Sequence, residues 1–411
     1  MLTPYRVLDL CDEKGLFCGK LLSDFGANVI KIERPGGDSA RNIGPFYGDV
    51  PDPEKSLFWW AFNINKKGIT LNIETADGKE IFKKLVQTAD IVIESFPPGY
   101  LDDLGLGYSR LSEINPSLIM VAITPFGQTG PYKDFKGSDL ICMAMGGIMF
   151  LTGSPDRAPV RISCPQSYLQ AGAEAATGAL SALYYRGRTG RGQFVDVSTQ
   201  ASLVTLLLAA RVSWEIDKKI YKRTGQIRGG FKAAKGMRQV WPCKDGYVCF
   251  NLALGPAGAV SNKGLAELMR TESMAPPLFD GINWDTFNFG LATQEEIDAI
   301  EEPIGKFFME HAKEYLDREA EKRRILLFPV ATMEDIWKNP QLKARDFWVE
   351  VEHPELNRTI TYQRPCIRYS EPSSGLRHRA PMIGEHNEEI YLGELGFSKE
   401  ELTMLRGAGV I

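Results

Sequence analysis

In the first part of the chain, short apolar runs typical of strands alternate with segments whose apolar residues recur at helical spacing. Short β-branched runs such as YRVLDL (Tyr5–Leu10) and ANVIKIE predict strands. Between them, EKGLFCGKLLSDFG has apolar residues at helical spacing and reaches Gly26, where a helix would stop. The same order repeats through GITLNI, ADGKEIFKKLVQTA and DIVIES. This pattern predicts an α/β fold in which helices cover a parallel sheet.

The pattern changes in the second half of the sequence. FVDVST predicts another strand, which enters a long apolar helix, QASLVTLLLAARV. From about Lys218 the chain becomes basic and glycine-rich, and WPCKDGYVCFNLA then predicts a hairpin with Asp-Gly as its turn. We therefore predict five segments: a large domain over 1–200, a linker over 201–224, a smaller α+β domain over 225–325, a second linker over 326–346, and a C-terminal segment over 347–411 that returns to the large domain.

Composition narrows the class of protein. The 411 residues are 44% hydrophobic and 24% charged, which is enough for two domains with their own cores. A formal net charge of −4 argues against a nucleic-acid binder, which needs a basic face. No apolar run is long enough to span a membrane, and the first residues do not resemble a secretion signal. These features predict a cytoplasmic protein.

The spacing of the cysteine, histidine and glycine residues argues against further classes of protein, namely disulfide-bonded, metal-binding and nicotinamide-dependent ones. The seven cysteines include no CxxC pair, and the four histidines show no HxxH spacing, so we expect reduced thiols and no metal site. The turn after the first strand is CDEKGLFCG rather than GxGxxG, which argues against a nicotinamide dinucleotide cofactor.

Seven short motifs occur in order from one end of the chain to the other: RVLDL, LLSDFGANVIKIERPGGD, LNIETADGKE, LGLGY, GPYKDFKGSDL, GRTGRGQFVDVS and PMIGEHNEEI. Together they resemble the family III CoA-transferases, which include formyl-CoA transferase, carnitine CoA-transferase and the α-methylacyl-CoA racemases. The resemblance implies a Rossmann-like large domain and a small domain joined by two linkers. It also implies two subunits that interlock like links of a chain.

The family resemblance implies a catalytic aspartate at a defined place. That aspartate attacks an acyl-CoA thioester to form a mixed anhydride, and the released CoA thiolate then makes an enzyme-bound thioester. It lies ten residues before the second of two glycines in a small-residue helix. Here those glycines are Gly172 and Gly178, so Tyr168 holds the position, and no aspartate occurs between Asp156 and Asp196. A phenol with a pKa near 10 would need a base.

Glu174 is the fallback candidate for a relocated acid. Six residues along a helix correspond to about 600° of rotation and a rise of about 9 Å, which places Glu174 on another face from Tyr168. The sequence therefore predicts no competent catalytic residue in this segment, with Glu174 kept as the alternative.

The resemblance also implies contacts to coenzyme A, which this chain retains only in part. Arg34, Leu71 and Asn72 occupy positions that contact the coenzyme, but Glu74 holds the place of a lysine. The segment SFPPGYLDDLGLGY departs from the family pattern NFRPGxxDRLGLGY, with Ser95 for asparagine, and Pro97 and Asp103 for arginines. A like-charge contact at about 4 Å costs about 4 kcal/mol at an effective dielectric of about 20. We therefore expect weakened binding of coenzyme A.

The resemblance finally suggests a role beside a partner. The glycine-rich loop at Gly229 and Gly230 would close over the active site of the other subunit, since glycine leaves room for backbone amides to approach a thioester. His386 is predicted to make a structural hydrogen bond. No cofactor is expected to be bound permanently; a CoA thioester would be the substrate of the complex.

The leading hypothesis is a subunit without its own competent site that completes the site of a homologous catalytic subunit. In this respect the chain resembles the heteromeric succinyl-CoA:(R)-benzylsuccinate CoA-transferase, from anaerobic toluene degradation, and this resemblance suggests the substrates. Two alternatives stay open: a stand-alone homodimeric transferase or isomerase that uses Glu174, and a non-enzymatic scaffold that binds CoA thioesters.

Overall fold

The computed structural model describes residues 1–229, 236–289, 291–370 and 375–411. The chain forms two compact units. The first comprises Met1–Met149, Arg161–Lys219 and Pro340–Ile411, and the second comprises Phe150–Val160 and Ile220–Asn339. Both chain ends therefore belong to the first unit.

A six-stranded parallel sheet forms the centre of the first unit. Its strands are β1 (Arg6–Asp9), β2 (Asn28–Glu33), β3 (Lys67–Thr70), β4 (Ile91–Glu94), β5 (Ile119–Thr124) and β6 (Gln193–Ser198). Their order across the sheet is β3-β2-β1-β4-β5-β6, so the direction of winding reverses between β1 and β4. All six residues of β5 are buried, as expected for a parallel strand covered on both faces. The predicted α/β fold with a parallel sheet is confirmed.

Nine α-helices lie in residues 1–149 and 161–219 of the first unit, all of which the structure describes. They are α1 (Leu16–Asp24), α2 (Leu57–Asn63), α3 (Ala76–Gln87), α4 (Tyr100–Asp103), α5 (Tyr108–Ile114), α6 (Asp139–Met145), α7 (Gln166–Thr189), α8 (Thr199–Thr205) and α9 (Leu208–Asp217). The apolar run predicted as one long helix is in fact two helices, α8 and α9, separated at Leu206 and Leu207. An unbroken apolar run has no periodic signal that would mark such a break.

In its described residues, the second unit contains two small antiparallel sheets, one of three strands and one of two. Its strands and helices are β7 (Ile227–Gly229), β8 (Gly236–Arg238), β9 (Val240–Cys243), β10 (Gly246–Phe250), α10 (Gly255–Thr271), α11 (Gln294–Glu310), α12 (Lys313–Arg323), β11 (Leu327–Pro329) and α13 (Met333–Lys338). The predicted hairpin is present as β9 and β10, but Gly246 pairs with Cys243, so its loop residues are Lys244 and Asp245. The predicted Asp-Gly turn was therefore wrong by one residue.

The C-terminal part of the first unit comprises α14 (Pro340–Ala344), β12 (Trp348–His353), β13 (Arg358–Gln363), a π-helix (Glu389–Glu394) and α15 (Lys399–Gly407). It is attached to β3 by polar contacts. Tyr391 donates a hydrogen bond to the Thr70 carbonyl at 2.6 Å, and His386 Nδ1 accepts one from the Gly68 N–H at 3.1 Å. Among the described residues, no helix has the length and apolar character needed to cross a membrane.

Candidate active site

The carboxyl edge of the parallel sheet carries a crevice where the winding direction reverses. Asp12 follows β1 and Ser95 follows β4, and these two strands are neighbours. The Ser95 hydroxyl donates to Asp12 Oδ1 at 2.7 Å and accepts from the Asp12 N–H at 2.9 Å. Ligands of open parallel sheets bind at such a reversal point, so the candidate site lies at this edge.

A cleft of about 480 Å³ opens at this edge. Its size is typical of a small-molecule site. Apolar side chains and two rings line much of it, and Phe96 and Tyr100 stack with ring centroids 4.7 Å apart. The aliphatic lining residues are Leu10, Ile32, Leu71 and Ile73.

Two polar residues that line this cleft, Arg34 and Tyr100, form a hydrogen-bonded group with the neighbouring Glu74. Arg34 Nη2 donates to Glu74 Oε1 at 2.7 Å and to the Tyr100 hydroxyl at 3.2 Å, and that hydroxyl donates to Glu74 Oε1 at 2.6 Å. The hydrogen bond from Tyr100 and the charge of Arg34 hold the pKa of Glu74 below its ordinary value. Asn72 contributes through its side-chain oxygen, which accepts from the Glu74 N–H at 3.1 Å. Of the predicted coenzyme contacts, Arg34 and Leu71 line the cleft, and Asn72 positions Glu74.

Buried ion pairs lie beside the cleft. Arg41 donates to both oxygens of Glu33, at 2.6 and 2.8 Å, and Lys31 donates to Asp38 at 2.9 Å. The side chains of Arg41, Glu33 and Lys31 are fully buried. These cations are already matched by carboxylates, so they hold the loop after β2 in place and are not free to bind an incoming anion.

The first turn of α7 carries the position predicted for the nucleophile. Ser167 donates to Asp139 Oδ1 from its backbone N–H at 3.0 Å and from its hydroxyl at 2.7 Å. Asp139 is buried, and its other oxygen, Oδ2, has no hydrogen bond among the described residues. Tyr168 follows directly and is half-buried.

Tyr168 lies in an acidic environment. Burial raises the pKa of its phenol well above the ordinary value of 10, and the charges of Glu13 and Asp12 raise that pKa further. Cys142 and Asp139 act in the same direction. The hydroxyl of Tyr168 therefore stays protonated at neutral pH. Sequence reasoning missed this environment, because the proximity of Tyr168 to Asp12 and Glu13, which lie beyond the carboxyl end of the first strand, is a property of the fold.

Glu174, the fallback candidate predicted for a relocated acid, makes a contact within its own helix. It lies further along α7, where its carboxylate accepts a hydrogen bond from Gln170 at 3.0 Å. This is an ordinary contact between residues four apart on one helix.

A second cavity of about 450 Å³ lies on the other side of the segment after β4. Glu94, Pro97 and Asp102 are among its lining residues. Burial raises the pKa of Glu94 from an ordinary 4.5 to about 8, and the charges of Asp12, Asp102 and Asp196 add to the shift despite a hydrogen bond from the Phe96 N–H. Sequence reasoning missed Glu94, because its burial is a property of the fold.

The remaining predicted positions are Asp103, Gly229 and Gly230, and Asp103 is not among the described residues that line the cleft. Asp103 is exposed at the end of α4. Gly229 ends β7 in the second unit, and Gly230 lies outside the described residues, so the role of this loop stays a prediction. Over the described ranges, no group of three or more His, Cys, Asp or Glu side chains is arranged to hold a metal ion.

Curated CoA-transferases match the chain over nearly its whole length. It is 34% identical to succinyl-CoA:(R)-benzylsuccinate CoA-transferase subunit BbsE of Thauera aromatica, with 99% of this chain and 97% of that protein covered. It is 33% identical to succinyl-CoA–D-citramalate CoA-transferase of Chloroflexus aurantiacus, with 100% and 98% covered.

A solved structure and a family model agree with these relatives. A CAIB/BAIF family protein from Brucella suis superposes with a TM-score of 0.82 at 31% identity, over 95% of this chain and 98% of that one. The model of CoA-transferase family III matches residues 2–387. With the parallel sheet, the crevice at its carboxyl edge and the helix α7 in place, the chain belongs to CoA-transferase family III.

Proposed function

We propose that this chain is a subunit of a family III CoA-transferase that has no competent acyl-transfer site of its own and completes the site of a homologous catalytic subunit. The observation that carries the proposal is Tyr168 in the first turn of α7, at the position where the family resemblance implies an aspartate. The complex would move coenzyme A from an acyl-CoA donor to a carboxylic acid.

The proposed loss of function follows from the chemistry of the phenol. A carboxylate is ionised at neutral pH and forms an anhydride that remains activated, so it can both attack a thioester and be released again. The Tyr168 hydroxyl is protonated, and the ionisable groups that act on it most strongly are acids, which disfavour the phenolate. No attacking oxygen anion is therefore available at this position.

The charges at the cleft support the same proposal. Arg34 is paired with Glu74, in the place where the resemblance implies a lysine. Lys31 and Arg41 are buried with their own carboxylates. Phosphate groups of coenzyme A would have to compete with these carboxylates for every one of the three cations, which weakens binding.

The names of two relatives support a subunit role. Subunit BbsE is by name part of succinyl-CoA:(R)-benzylsuccinate CoA-transferase, and another relative, 31% identical, is the beta subunit of succinyl-CoA–L-malate CoA-transferase from Chloroflexus aurantiacus. We propose a homologous catalytic subunit as partner, succinyl-CoA and (R)-benzylsuccinate as substrates, and a cytoplasmic location. In the interlocked arrangement, the loop at Gly229 and Gly230 would close over the partner's site.

The test compares the purified chain with a complex formed by co-expression with a family III subunit that has the aspartate. We expect CoA transfer by the complex and none by the lone chain. Replacing the partner's aspartate by alanine should abolish transfer, whereas Tyr168→Phe and Glu174→Gln in this chain should not. Robust transfer by the lone chain that is lost in Glu174→Gln would establish the stand-alone alternative instead.

A further inference from the structure

The cleft at the carboxyl edge of the sheet has a composition suited to a nucleoside. Phe96 and Tyr100 offer stacked rings, and aliphatic side chains from β2 and from the segments after β1 and β3 line the cavity beside them. Ser39 and Asn42 add neutral hydrogen-bonding groups. A flat apolar surface with a few polar groups around it is the usual environment of a purine ring.

Four cations of the described chain lie at or beside this cleft, and each is matched by a carboxylate. Besides the pairs of Lys31 and Arg41, Lys14 contacts Asp12, and Arg34 contacts Glu74. Arg34 is the one cationic residue among those that line the cleft in the described chain. An additional phosphate would therefore enter a region whose positive charge is already neutralised.

The carboxylate of Glu74 determines whether a hydroxyl or a phosphate of a ligand is favoured beside Arg34 and Tyr100. Its Oε1 accepts hydrogen bonds from Arg34 and Tyr100, and its side chain is 45% exposed, so it can also accept from a ligand. A carboxylate beside a bound nucleoside accepts hydrogen bonds from ribose hydroxyls, but it repels a phosphate on the same ribose.

We propose that this cleft binds the adenosine end of a coenzyme A derivative whose ribose lacks the 3′-phosphate, and that Glu74, held by Arg34 and Tyr100, discriminates against coenzyme A itself. The inference rests on the proposed function in taking this cleft as the coenzyme cleft. It does not depend on which subunit performs the transfer, because it concerns binding to this chain alone.

Calorimetry on the full-length chain tests the inference with three probes: dephospho-CoA, CoA and adenosine. We expect dephospho-CoA to bind at least about tenfold more tightly than CoA, which corresponds to about 1.4 kcal/mol. Adenosine should compete with dephospho-CoA. Equal or tighter binding of CoA, absence of binding by dephospho-CoA, or failure of adenosine to compete would each overturn the inference.

Substitutions at position 74 test whether the Glu74 carboxylate causes the preference for dephospho-CoA over CoA. Glu74→Lys should reverse the preference in favour of CoA, and Glu74→Gln should reduce it to less than about threefold. Glu113→Lys is the matched control, because it makes the same charge change at an exposed residue of α5 that pairs with Arg110, whereas Glu74 is hydrogen-bonded to two residues that line the cleft. An unchanged preference in Glu74→Lys, or an equal change in Glu113→Lys, would contradict the assignment. Turnover by the lone chain would refute the proposed function but would leave these binding results interpretable.

Discussion

Ser167 donates two hydrogen bonds to the same oxygen of Asp139, from its backbone N–H at 3.0 Å and from its hydroxyl at 2.7 Å. The two residues are separated by 28 positions, so this contact joins the start of α6 to the first turn of α7. It satisfies a backbone N–H that the helix itself leaves without a partner. The contact therefore holds the first turn of α7 in place, directly before Tyr168.

We expect Asp139→Ala to lower the free energy of unfolding by about 2 kcal/mol, because it leaves the Ser167 N–H and hydroxyl buried without an acceptor. Asp139→Asn should cost less, since its amide oxygen can still accept. Urea denaturation of the two variants measures both values. Asp134→Ala, at an exposed residue before α6, is the control and should change stability by less than about 0.5 kcal/mol. Equal stability of Asp139→Ala and the native chain would show that the contact contributes nothing.

Tyr168→Phe should leave transfer by the co-expressed complex within about twofold of the native rate. The reason is that burial and the neighbouring acids raise the pKa of Tyr168 and keep its hydroxyl protonated, so the oxygen does no chemistry. The pH profile of kcat should also be the same for both forms up to pH 9. A loss of more than about tenfold in kcat, which corresponds to about 1.4 kcal/mol, would show that the phenol takes part.

Much of the first unit could be predicted from the sequence. The strand and helix periods of the apolar residues predicted β1, α1, β2 and α3, because a helix buries one stripe of side chains and a strand of this sheet buries both of its faces. The strand order could not be obtained in this way, since periodicity carries no information about which strands are neighbours. The break at Leu206 and the register of Gly246 were missed because they depend on local hydrogen bonding that the pattern does not encode.

The candidate site residues were predicted through the family resemblance. The resemblance implies an aspartate at a fixed distance from two glycines of α7, which is the position of Tyr168, and a lysine at the position of Glu74. The contacts that define the site join distant segments: Asp139 to Ser167, and Arg34 to Tyr100. A sequence without structure gives no distance between such residues.

Glu94→Gln should stabilise the protein at alkaline pH. The fold favours the protonated carboxyl of Glu94, whose pKa rises from 4.5 to about 8. The stability that this group contributes is therefore present below pH 4.5 and is lost as the pH rises through about 8. Glutamine stays neutral and can keep the hydrogen bond from the Phe96 N–H, so the variant should gain about 1–3 kcal/mol over the native chain at pH 9 and little at pH 5.

Thermal unfolding of both forms between pH 5 and pH 9 provides the measurement. Glu113→Gln, at an exposed residue of α5, is the control and should show no pH-dependent difference from the native chain. If the gain of Glu94→Gln is the same at both pH values, then the titration of Glu94 is not its cause.

Lys66→Met should be strongly destabilising. Lys66 Nζ lies 2.7 Å from Asp9 Oδ2, and both side chains are fully buried. Burial lowers the pKa of Lys66, while Asp9 opposes that change. Removing the cation leaves the Asp9 carboxylate buried without its counter-ion, with only the Cys11 N–H still donating to its other oxygen among the described residues, and this costs about 3–5 kcal/mol. Lys67→Met is the matched control: this neighbour pairs with Glu389 at the surface and should cost less than about 1 kcal/mol. Similar denaturation midpoints for the two variants would contradict the account.

Gly172→Ala and Gly187→Ala should have opposite effects on stability, although both change a glycine of α7. A Cβ atom at Gly172 would lie 2.8 Å from the Cβ of Phe17 and 3.1 Å from the backbone N of Cys18, so α7 could not approach α1 as closely. We expect a cost of about 1–3 kcal/mol. At Gly187 no atom lies within 4 Å of the added carbon, and alanine should stabilise the helix by about 0.5–1 kcal/mol. Urea denaturation of the two variants measures both signs. A stabilising Gly172→Ala would show that the glycine is not required by the packing of α1 on α7, and its place in the motif would then need another explanation.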